Sequence, residues 1–175
     1  MPKVVYTNTK GLIQETGTGM DLTGVPAGEG LQYRQPVVTS TAATLAPTVA
    51  QSGTIFLLSG ASACTVTLPA AEAGLVYEFH VITTKTGTLT INAASSADTL
   101  EGLVILGPSL TVTRTNAGNT TAFAGPAAAD HQYVADADTK GRMLGTHIVY
   151  KCCSASIWSV SGLGVTSGAT ATPFT

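Results

Sequence analysis

From Gly53 to Val160 the chain alternates apolar and polar residues with a period of two, in short runs separated by Gly, Pro, Ser and Thr. No window carries a helical apolar stripe longer than a turn or two. Successive side chains of a strand point to opposite faces, so this period selects strands over helices. The clearest run is 75–83 (LVYEFHVIT). Leu75, Tyr77, Phe79 and Val81 share one face, and Val76, Glu78, His80 and Ile82 share the other. Further strands are predicted at 54–58 (TIFLL), 64–68 (CTVTL), 88–92 (TLTIN), 103–106, 110–113, 146–152 and 157–160 (IWSV). In 146–152, Ile148 and Tyr150 alternate against His147, Val149 and Lys151. Lys85-Thr86-Gly87 is expected to close a hairpin between 75–83 and 88–92. Residues 116–130, rich in Ala, Gly and Thr, read as a long loop, and the one helix candidate is a single turn at 69–73 (PAAEA). Strands about 8–12 residues apart with turn residues between them predict an all-β fold, an antiparallel β-sandwich or barrel-like domain.

Residues 1–50 differ in character from the rest of the chain. Val4-Val5-Tyr6 and Leu12-Ile13 are short apolar touches in a stretch rich in Gly and Thr. Such a segment makes a poor core, but it can lie along a partner through backbone hydrogen bonds. It is expected to form an extended N-terminal arm containing one edge strand within 31–40, where Pro36 confines the strand to an edge or bulge. Residues 51–162 are expected to form the sandwich, and 163–175 a flexible or partner-bound tail.

Composition narrows the function classes. Only 18 of 175 residues carry a formal charge, 10 % against about 25 % in ordinary soluble domains. None lies between Gln35 and Ala71 or after Lys151. The eight basic residues are scattered and the net charge is −2, so the clustered cations that release counterions from a nucleic-acid backbone are missing. The uncharged stretch 35–71 is broken by Pro36, Pro47 and Pro69, and its longest strongly apolar run is Ile55-Phe56-Leu57-Leu58. That is far short of the roughly 20 residues a membrane helix needs. The opening MPKVVYTNTKGL has no apolar secretory core. Cys64, Cys152 and Cys153 are therefore expected as free thiols in a reducing cytoplasm, and their uneven spacing does not supply a four-ligand zinc site.

Chemistry-bearing motifs are sparse. The chain has no Gly-x-Ser-x-Gly elbow and no phosphate-binding glycine loop. Asp130, His131, Asp136 and Asp138 form the densest polar cluster. Asp136-Ala-Asp-Thr-Lys-Gly141 partly matches a calcium loop, but Lys140 and His147 stand where oxygen ligands are required, so Asx turns on a solvated loop are the expected outcome. His80 reads as an exposed or hydrogen-bonded strand histidine. Glu78 and Glu101 have no partner motif that would make them a glycosidase pair. Asn119-Thr120-Thr121 fits a glycosylation acceptor without a secretory context. Cys152 and Cys153 point to opposite strand faces, one of them into the core. No cofactor and no metal is expected.

The run Val66-Thr-Leu-Pro-Ala-Ala-Glu-Ala-Gly-Leu-Val-Tyr-Glu-Phe-His-Val-Ile82, then Gly87-Thr-Leu-Thr-Ile-Asn92 and Asp98-Thr-Leu-Glu-Gly102, resembles a β-module of tailed-bacteriophage virion proteins. In that module a strand ends in Leu-Pro, a short turn leads to a long strand, and a Trp-containing strand closes the unit, here 157–160. The Asp-Gly turn usual before the Trp strand is replaced by Cys153-Ser-Ala-Ser156. Residues 1–12 are similar to the start of small phage head proteins. The resemblance covers about two-thirds of the chain. It implies a capsid decoration (cement) protein on the virion exterior, assembled in the host cytoplasm, with the major capsid protein and its own copies in a homotrimer as partners, and with neither nucleic acid nor membrane. On that reading Val4, Val5, Tyr6, Leu12 and Ile13 contact the capsid, while Tyr77, Phe79 and Trp158 form the subunit core or contact. The alternative is a head or tail fibre component that binds host surface glycans, and a small hydrolase ranks behind both because no nucleophile–base pair can be named.

Overall fold

The computed structural model describes residues 4–7, 11–14, 35–108, 120–125, 131–167 and 170–175. The chain divides into two units, Met1–Arg34 and Gln35–Thr175. In the first, β1 (Val4–Thr7) pairs antiparallel with β2 (Gly11–Gln14), with Tyr6 opposite Leu12.

The second unit begins as a winding. β3 (Val37–Ser40), β4 (Thr44–Leu45), β5 (Thr54–Leu58), β6 (Cys64–Thr67), β7 (Val76–Val81) and β8 (Leu89–Asn92) alternate between two sheets. Each connection crosses to the opposite layer, so after two crossings the chain returns beside an earlier strand in the same direction. That is the connection parallel neighbours require. β3, β5 and β7 are accordingly parallel in one sheet, and β4, β6 and β8 in the other. Both sheets are therefore mixed, not antiparallel, and neither closes into a barrel. The expected hairpin at Lys85-Thr86-Gly87 is likewise a corner between layers. Its Thr86 N–H donates to Ala61 O at 2.7 Å, and the Lys85 ammonium donates to Gly60 O, which ties this corner to the preceding one. Burial pulls the Lys85 amine below the usual lysine range, with Cys64 pulling the other way.

Five strands complete the unit: β9 (Thr99–Pro108), β10 (Thr121–Gly125), β11 (Gln132–Ala135), β12 (His147–Ser154) and β13 (Ile157–Thr166). The larger sheet runs β10-β9-β13-β12-β7-β5-β3 and the smaller β11-β8-β6-β4. The inward residues of both form one apolar cluster, so the all-β expectation holds as a two-layer arrangement. Its aromatic spine crosses four neighbouring strands. Phe56 stacks on Phe79 at 5.5 Å, Phe79 meets Tyr150 edge-on at 5.8 Å, and Tyr77 lies 5.9 Å from Trp158. Offset and edge-on geometries at these separations add to the burial gain.

Several local expectations change. Residues 35–45 supply β3 and β4, so they join the sheets and the compact unit begins at Gln35. β3 is an edge strand that starts directly after Pro36, as the proline requires. β10 lies inside the segment read as a loop, and residues 69–73 form no helix. The strand expected at 110–113 lies outside the described residues. β13 runs on to Thr166, and the final residues fold back on β11 instead of trailing free. There Gln132 and Thr175 exchange backbone hydrogen bonds at 3.1 Å, and buried Phe174 packs edge-on against Tyr133.

Gly102, in β9, has φ +142°, and a Cβ there would overlap the Val160 carbonyl. Gly74 also has a positive φ, +96°, but has open space around it. Gly74→Ala is therefore expected to cost about 1–2 kcal/mol from the dihedral alone. Gly102→Ala adds the overlap and is expected to cost about 3–5 kcal/mol. Urea unfolding of the two variants separates the effects, and equal costs would remove the role assigned to close β9–β13 packing.

Candidate functional site

Alternation fixes what the larger sheet shows on its far side. Phe56, Leu58, Tyr77, Phe79, Ile148, Tyr150 and Val160 are buried in the core. Their neighbours Ile55, Leu57, Glu78, His80, Val149 and Ser161 therefore face outward. Register sets these outward residues in rows. One row runs Ile105, Leu163, His147, His80, Leu57, and the next runs Leu103, Ser161, Val149, Glu78, Ile55, Val37. Val37 and Leu163 are each 57 % exposed and Leu103 45 %. Among the described residues, the ionisable groups on this face are Glu78, His80 and His147 at its centre, with Lys151 and Glu101 in the row beyond. Aliphatic side chains thus surround the central ionisable group in both rows.

The central group is compact. His80 stands directly opposite His147 across the β7–β12 pairing, and their rings stack with centroids 4.3 Å apart and planes 20° from parallel. Glu78, two residues before His80 on the same face, places Oε1 2.6 Å from His80 Nε2 and 3.0 Å from His147 Nε2. The second contact lacks hydrogen-bond geometry, so the buried His147 Nε2 has no hydrogen-bond partner. One ligand atom from each of the three residues lies within 4.8 Å of the others, and this is the metal-capable group among the described residues.

The residues singled out from sequence fall elsewhere. Tyr77, Phe79 and Trp158 are fully buried in the chain's own core, and the Tyr77 hydroxyl donates to Thr48 O at 2.9 Å. They shape the sheet from within and offer no surface to a neighbour. Val4, Val5, Tyr6, Leu12 and Ile13 lie in the β1–β2 pair, and their side chains lie outside the described residues. In the Asp-rich loop, Asp130 is also outside the described residues. Asp136 pairs with Lys140 at 3.0 Å, and Arg142 Nε donates to Asp138 at 2.8 Å. The Lys140 hydrogen bond holds the Asp136 carboxyl below its ordinary range. These carboxylates thus meet cations of their own loop. Cys152 is buried and Cys153 exposed, as their alternation requires.

Sequence reasoning missed the grouping of His147 with Glu78 and His80. Alternation assigned each residue its face correctly. The pairing of β12 with β7 brings the two strands together, and only tertiary register supplies it.

No family model, curated protein or solved structure matches the chain.

The loop geometry carries a prediction. Millimolar calcium is expected to leave the melting temperature unchanged, because Lys140 and Arg142 already occupy the loop carboxylates. Arg142→Ala, which also removes a 3.0 Å donation to Asp136 O, is expected to cost about 1–2 kcal/mol. Calorimetry of both proteins with and without calcium checks the pair of statements, and calcium stabilisation of the wild type would contradict them.

Proposed function

We propose that this chain is a structural virion protein that decorates the outer surface of a tailed-bacteriophage capsid and stabilises contacts between major capsid proteins. The observation that carries this reading is the outer face of the larger sheet, where exposed Val37, Leu103 and Leu163 stand with Ile55, Leu57, Ile105 and Val149 as aliphatic rows around the central Glu78, His80 and His147. The aliphatic rows can bury apolar area against another protein without desolvating a charge of their own. Copies of the chain associate through this face into a homotrimer, and the N-terminal segment carrying Val4, Val5, Tyr6, Leu12 and Ile13 reaches the capsid. The β1–β2 pair supports that division of labour, since it belongs to a unit separate from the sandwich. The sequence resemblance to phage virion β-modules points the same way. Seating several weak contacts on a symmetric lattice converts them into tight attachment, so no single deep pocket is required.

Incubation with undecorated capsids tests the reading. The chain is expected to co-sediment at a copy number comparable to that of the major capsid protein, and protein lacking residues 1–15 is expected to lose occupancy. Absence of binding, or full occupancy by the truncated chain, would contradict the proposal. Leu163→Arg places a charge in the apolar face at an exposed position, so it is expected to abolish self-association in sedimentation equilibrium without lowering the melting temperature. An unchanged oligomer would move the subunit contact to another surface.

A further inference from the structure

The geometry points to a zinc-binding site on the outer face of the larger sheet, formed by Glu78 and His80 of β7 and His147 of β12. It does not rest on the proposed function, because it follows from the placement of three side chains within one sheet.

The donor set is two imidazole nitrogens and one carboxylate oxygen. Zn²⁺ takes that combination with bonds of about 2.0–2.2 Å, leaving a fourth position open to water or another ligand. Tetrahedral bonds of that length separate ligand atoms by about 3.3 Å. Glu78 Oε1 lies 2.6 Å from His80 Nε2 and 3.0 Å from His147 Nε2, and all three ligand atoms lie within 4.8 Å of one another. An imidazole nitrogen binds a metal in the plane of its ring, so the stacked rings, 20° from parallel, must turn about their side-chain bonds to aim at a common ion, and both side chains are about one-third exposed at the sheet surface.

Two further observations favour a cation at this point. The first is the state of His147 Nε2, a buried atom 3.0 Å from the Glu78 carboxylate but without hydrogen-bond geometry to it. A buried polar atom without a partner is costly, and coordination would give that nitrogen a use. The second is the surroundings. Directly opposite cross-strand neighbours of the cluster are Leu57, Ile55, Val149 and Leu163. Lys151 of β12 lies diagonally from Glu78 on the same face, and Glu78 takes its ion-pair contacts from His80 and His147; an aliphatic rim lowers the local polarity around an ion. The Asp136–Asp138 loop shows the opposite arrangement, with its carboxylates taken by Lys140 and Arg142.

Hard cations fit less well. Ca²⁺ and Mg²⁺ ask for six or more oxygen ligands, whereas this group offers two nitrogens and a single carboxylate. A zinc ion here would cross-link β7 to β12 at the middle of the sheet.

The experiment is a titration of the full chain, with Cys153→Ser as background so that the exposed thiol does not bind metal. Isothermal titration with Zn²⁺ is expected to give one ion per chain, together with a rise in melting temperature that grows with free zinc. Co²⁺ is expected to give the visible absorption of four-coordinate cobalt bound to nitrogen and oxygen. Ca²⁺ and Mg²⁺ are expected to give neither signal. Glu78→Gln and His147→Gln are each expected to weaken zinc by more than the roughly 10–100-fold that loss of a ligand's outer partner costs. His131→Gln, which alters the histidine outside the cluster, is expected to leave affinity unchanged. Circular dichroism establishes that each variant is folded, and the cobalt spectrum of the Cys153→Ser protein tests the site without further substitution. Absence of stoichiometric zinc binding would overturn the proposal. So would binding that survives both ligand substitutions, or binding that His131→Gln abolishes.

Discussion

The fold depends on one row of aromatic contacts. Phe56, Phe79 and Tyr150 pack in sequence across β5, β7 and β12, and Tyr77 leans on Trp158 of β13. These strands are far apart in sequence, and only β12 and β13 are joined by a short turn. Burial of the rings therefore holds the winding part of the sheet, β3-β5-β7, to the returning part, β12-β13-β9. Large rings bury more apolar surface than any other side chains, and Leu58, Leu89, Ile91, Leu100, Leu106 and Ile148 fill the core around them. The aromatic row also settles the far side of the sheet. Once Tyr77, Phe79, Ile148 and Tyr150 point inward, Glu78, His80, His147 and Val149 must point outward.

The same logic links the apolar outer face to its polar centre. A strand buried on one side still has to present something on the other, and most of what this sheet presents is aliphatic. Two histidines and a glutamate set into such a surface are better protected from competing water and salt than the same residues on a charged surface. The face can thus serve as a contact surface while its centre holds an ion.

Much of the strand content was legible in the sequence, because period-two alternation states directly which residues are buried. Cys64 and Val66 are in, Thr65 and Thr67 are out, and the same holds along 75–83 and 147–152. The direction of each connection was not legible. Lys85-Thr86-Gly87 has the composition of a hairpin turn, and what makes it a corner is the distant Gly60–Ala61 segment that accepts its hydrogen bonds. β10 was hidden for a different reason. Its sequence, TAFAG, has little intrinsic strand preference and is ordered by pairing with β9. Phe174 was hidden because a lone aromatic in a Thr- and Ala-rich tail has no periodicity, although Tyr133 gives it a partner. The candidate site falls between these cases, since its faces could be read and its register could not.

The outer face of the larger sheet as an assembly surface is tested most directly by side-chain footprinting with hydroxyl radicals, on dilute protein and on the assembled form. Leu163, Leu103 and Val37 lie on the face, whereas Leu144 is equally exposed in the turn before β12 and serves as the internal reference. The expected result is strong protection of the three face residues on assembly, with Leu144 labelled as before. Unchanged labelling of Leu163 and Leu103 in the assembled form would contradict it.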